Sequence, residues 1–74
     1  MIAKIYDRDF EYTVEQVNEA EFCLNTISPG CTKERTRAFG RFEFSLTQDL
    51  TDEQRATFED WVHDNHPDWS VVWR

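Results

Sequence analysis

A chain of 74 residues with a net charge of −7 is one small acidic domain. That charge opposes nucleic acid and anionic membrane surfaces, and no apolar run is long enough to span a bilayer. With two glycines and two prolines the composition is neither disordered nor of low complexity. A chain this short buries only about 60% of its unfolded surface. Eleven aromatics (six Phe, three Trp, two Tyr) compensate, because each removes a large area from water.

Residues 1–9 mix charged and apolar side chains and lack a signal-peptide pattern, so the expected location is cytoplasmic. A short strand over 2–6 is compatible with the pattern. Six acids then fall on odd numbers: Asp7, Asp9, Glu11, Glu15, Glu19 and Glu21. The even positions between them include Phe10, Tyr12, Val14, Ala20, Phe22 and Leu24. A period of two is the mark of a strand with one solvated face. It predicts a hairpin, 8–16 and 20–27, turning near Asn18. A helix is the alternative. Thr13 and Gln16 have capping-box spacing, and Val14, Val17 and Leu24 are in helical phase. A helix, however, puts Phe22 between Glu15 and Glu19 on a charged face, and the hairpin avoids that conflict.

Ser28-Pro29-Gly30 is a turn. Cys23 and Cys31 flank it and read as reduced, partly buried thiols in an intracellular setting; a disulfide closing the turn and a metal role are the alternatives. Phe42, Phe44 and Leu46 alternate with Arg41, Glu43 and Ser45 as a strand. Its odd register continues backward through Arg37, Arg35 and Lys33. This basic stripe shares the parity of the acidic one, and Glu21 is expected to oppose a residue near Arg37.

Thr51 and Gln54 start a helix as a capping box, with Asp52 and Glu53 at its positive end. Phe58, Trp61 and Val62 form its apolar face, and Pro67 ends it. Residues 68–74 form a last strand. The expected fold is α+β: a small antiparallel sheet in β-β-β-α-β order with one helix on one face. If 13–26 is helical, the order becomes the ferredoxin-like βαββαβ.

The acidic row is the main candidate site. Residues two apart on a strand are about 6.6–6.8 Å apart, roughly twice the ~3.4 Å rise between phosphates on one DNA strand. Asp60 and Asp64, one helical turn apart, form a second patch. Asp60, His63, Asp64 and His66 match no ligand motif, and the cysteine spacing is too wide for a usual zinc site, so neither metal nor cofactor is expected. The arginines around Phe39 are read as partners for the acids rather than a nucleic-acid site. No signature links Cys to His as a nucleophile, and the chain offers little room for a deep pocket. Trp61, Trp69 and Trp73 read as core, with Trp69 or Trp73 as the alternative anchor for a partner.

In size, acidity and lack of a catalytic signature the chain resembles the small inhibitors and DNA mimics of phages and mobile elements, a likeness of character that places no residue. The expectation is a non-enzymatic protein-binding domain, a monomer or homodimer. It docks its acidic surface on a basic, nucleic-acid-binding site of a larger protein, and inhibits by occupying it. Direct nucleic-acid and membrane binding are not expected. The alternative is an assembly module that self-associates through its aromatic C-terminal strand.

Overall fold

The computed structural model describes residues 1–74. Its elements are β1 (Ile2–Asp7), α1 (Val14–Ile27), β2 (Thr32–Ala38), β3 (Arg41–Leu46), α2 (Asp52–Asn65) and β4 (Trp69–Trp73). The strands form one antiparallel sheet in the order β2-β3-β1-β4. The protein is therefore α+β, with two helices rather than one.

The hairpin expected over 8–27 is absent: residues 14–27 are α1. Local chemistry decides this. The Thr13 hydroxyl accepts the Gln16 N–H at 3.2 Å, and the Gln16 side chain accepts the Thr13 N–H at 2.8 Å. Such a cap contributes about 1 kcal/mol. Val17, Ala20 and Leu24 are fully buried, and their spacing of three and four is one helix face. Phe22 lies on the opposite side, 75% exposed. The helix accepts the conflict that the strand reading avoided.

The long strand through 33–46 is two strands. Gly40 takes φ 73°, a left-handed conformation that glycine adopts at little cost, and the chain reverses at Phe39-Gly40. Arg37 pairs with Phe42 and Arg35 with Phe44. Each pairing matches an odd residue to an even one, so parity flips across the turn. Arg35 and Arg37 lie on the helix side of the sheet, and Arg41 lies on the open side. An irregularity between Thr32 and Glu34 bends the start of β2.

The second half follows the expectation. Thr51 and Gln54 form a reciprocal cap at 3.1 and 2.9 Å, and α2 stops at Asn65 before Pro67. Phe58 and Val62 are buried, and Trp61 is half-buried. The core lies between the helices and one sheet face. Ala3, Ile5, Phe42, Phe44 and Trp69 from the sheet meet Val17, Leu24, Phe58 and Val62 from the helices. Edge-to-face aromatic pairs, Phe42 with Phe44 at 5.7 Å and with Trp69 at 5.1 Å, add directional contacts to burial. The open face presents Lys4, Tyr6, Glu34, Arg41, Glu43 and Val72.

Candidate protein-binding surface

The structure disperses the acidic row into three groups. Asp7, at the end of β1, is buried and accepts the Asp9 N–H at 2.8 Å. Asp9 and Glu11 follow in the loop before α1. Together with Asp68 and His66 they line a cleft of about 250 Å³ at one pole. Asp68 is the dominant influence on Asp9. Its charge and a hydrogen bond between the two carboxyls raise the Asp9 pKa above its ordinary value, with smaller contributions from Asp7 and Glu11.

Glu21 forms the second group alone. Its carboxylate accepts from Arg35 at 3.0 Å and from the Thr32 hydroxyl at 3.2 Å. The expected pairing of acidic and basic stripes exists, but it runs from helix to edge strand and uses Arg35 in place of Arg37. Glu21 is thus already paired within the fold.

Glu15 and Glu19 on α1, with Asp60 and Asp64 on α2, form the third group, and all four are exposed. Between the two helices runs an open groove of about 720 Å³ whose apolar walls are Phe22, Cys23, Ile27 and Trp61. Its polar lining includes Asn18, Glu19, Thr57 and Asn65. Helical spacing places Glu15 in line with Glu19 and Phe22. On α2 it places Glu53, Asp60 and Asp64 along the solvent side of Thr57 and Trp61. A chain too small for a deep cavity thus still builds a broad groove on its surface.

Charge is sorted by layer. α1 has three carboxylates and no cation; α2 has five carboxylates and Arg55. The two helices together carry −7, the net charge of the whole chain, leaving seven carboxylates against seven Lys and Arg elsewhere. The sheet and loops are neutral overall, and the helical layer is the acidic face.

No family model matches the chain, and neither a curated protein nor a solved structure is significantly similar to it.

The remaining candidates have structural explanations. His66 caps α2, stacks on Trp69 at 3.7 Å, and meets Trp61 edge-on at 5.6 Å. Its Nε2 lies 3.9 Å from a Glu19 oxygen. Its side chain packs inward whereas Asp60, His63 and Asp64 are exposed, and no three His, Cys, Asp or Glu side chains converge as a metal site. Trp69 is buried. Trp73 is half-buried, with its indole N–H donating to Glu59 at 3.3 Å. Cys31 is buried and Cys23 half-buried, with no bond between them. Burial pushes both thiols above their ordinary pKa.

Two features escaped the sequence reading. Phe22, which in the sequence counts against a helix, is the most exposed apolar side chain in the groove. Phe10 and Phe39 form the other. Their rings stack at 4.9 Å on the β2–β3 turn, with Phe39 86% exposed. Phe10 holds φ 59°, which is uncommon for a residue other than glycine.

Proposed function

We propose that this chain is an acidic, non-enzymatic protein-binding domain that docks its helical layer on a basic site of a larger protein. The observation that carries this reading is the placement of the whole net charge on two helices that also expose an apolar groove. Carboxylates at a rim steer association and select the partner. Apolar anchors in the groove hold the complex, since interface energy concentrates in a few aromatic and aliphatic side chains.

The phosphate-spacing argument for DNA mimicry falls with the strand that supplied it. What supports the reading now is charge segregation, which suits any basic protein surface. Occupation of that surface would block whatever else binds there.

Affinity capture from a cell extract, eluted by a salt gradient, tests the proposal with three proteins. One is the wild type. One carries Glu15→Lys, Glu19→Lys and Asp64→Lys. The third carries Glu34→Lys, Glu43→Lys and Asp49→Lys, a matched charge change away from the helices. A partner retained by the first and third but lost by the second supports the helical layer. Equal loss with both variants contradicts it.

A second reading rests on the edge of the sheet. β4 is an edge strand, and the reciprocal bonds of Ile2 with Arg74 set an alternation in which Val71 and Trp73 turn their backbone groups outward. Charged side chains guard the other edge, β2, whereas β4 has none between Asp68 and Arg74. An unguarded edge supports self-pairing. A salt-insensitive dimer in light scattering, abolished by Val71→Pro, would favour it.

A further inference from the structure

The groove between α1 and α2 has the dimensions and chemistry of a receptor for one kind of segment. Resting on the acidic docking reading above, we propose that its occupant is a cationic amphipathic helix of the partner protein.

Length is the first argument. The groove is lined from Asn18 to Ile27 on α1 and from Thr57 to Asn65 on α2. At about 1.5 Å per residue this is roughly 12–14 Å. Apolar side chains at i, i+4 and i+7 of a helix span about 10 Å, so three anchors fit along Phe22, Cys23, Ile27 and Trp61.

Backbone chemistry is the second argument. Along their lengths the two helices keep their donors and acceptors inside their own turns. An extended segment laid on them would leave its backbone groups unpaired against apolar side chains, which costs free energy. A helix arrives with those groups satisfied, and a third helix packs into the groove between two others at an ordinary spacing of about 8–10 Å.

Charge is the third argument. Glu15, Glu19 and Asp64 stand at one end of the groove, and Glu53 and Asp60 continue along the α2 side. No cation lines it. Lys or Arg flanking the apolar stripe of the incoming helix would meet carboxylates on both sides, whereas acidic flanks would be repelled.

The test uses two synthetic peptides of about sixteen residues and identical Leu/Lys composition. One has Leu at helical i, i+3, i+4, i+7 spacing; the other is scrambled. Each is titrated into the isotopically labelled 74-residue chain and followed by amide chemical shifts. The expected result is tenfold tighter binding of the helical peptide, with shifts at Phe22, Cys23, Trp61 and their neighbours. Phe22→Ser, at an exposed position that leaves the fold intact, should weaken the helical peptide at least tenfold and barely affect the scrambled one. Equal binding of both peptides, unchanged by Phe22→Ser, overturns the helix receptor and leaves acidic docking standing. Failure of both peptides to bind at low salt overturns both. Shifts confined to β4 or to the open sheet face overturn the groove as the site.

Discussion

Arg35 on β2 donates to the Glu21 carboxylate on α1 at 3.0 Å, which ties that acid into the fold. Both side chains are about one-third exposed, so solvent screens the pair, and its contribution is about 0.2–1 kcal/mol. Glu21→Lys places two cations side by side. It should lower the melting temperature by a few degrees and leave partner affinity unchanged. Glu19→Lys should do the reverse. Thermal denaturation and a binding isotherm on both variants check the division.

Gly40 tests the exposed aromatic tip. A Cβ there would run into the Phe10 ring, and φ of 73° is strained for any side chain. Gly40→Ala should therefore cost about 1–3 kcal/mol, read by chemical denaturation. A neutral result would contradict both the left-handed strain at Gly40 and the contact with the Phe10 ring.

The Asp9–Asp68 pair gives a pH dependence. Asp68 raises the Asp9 pKa above its ordinary 3.8, so between those two values the folded chain holds more proton than the unfolded one. Stability from this pair then falls as pH rises through the window, and the repulsion persists at neutral pH. Asp68→Asn should raise the melting temperature at pH 7, and the gain should vanish well below pH 3.8, where Asp9 is protonated in both states. A gain that persists unchanged at low pH would contradict the assignment.

How much of this was legible in the sequence depends on local signals. α2 could be read because Thr51, Gln54, the apolar Phe58 and Val62, and Pro67 agree. The Phe42–Leu46 alternation and the final strand were equally plain. The first helix carried the same capping chemistry at Thr13 and Gln16, but the parity of six acids outweighed it. That parity is a coincidence of a loop and a helix. Buried Val17 sits on an odd position, and exposed Phe10 and Phe22 sit on even ones, so the even set was never a buried face. The Phe39-Gly40 reversal was hidden because Arg35, Arg37 and Arg41 keep one parity in number while the hairpin places them on two faces. The acidic surface was legible in composition, although helices carry it in place of a strand. Its apolar groove was not, because grooves between helices depend on packing that no local pattern encodes.

Thiol reactivity offers a check on the helical layer. Burial raises both cysteine pKa values, so both should react with a disulfide reagent at pH 7.4 more slowly than a free thiol. Cys23, half-buried in the groove, should react before buried Cys31. A Cys31 that reacts first would mean that the packing of α1 on β2 opens more readily than the groove.

Hydrogen exchange of the chain bound to its captured partner is the most direct measurement of the central claim. Docking through the helical layer predicts slowed exchange in α1 and α2, on the segments carrying Glu15, Glu19, Phe22, Trp61 and Asp64, with the sheet unchanged. Protection confined to β4 or to the open face of the sheet, with both helices exchanging as in the free chain, would contradict it.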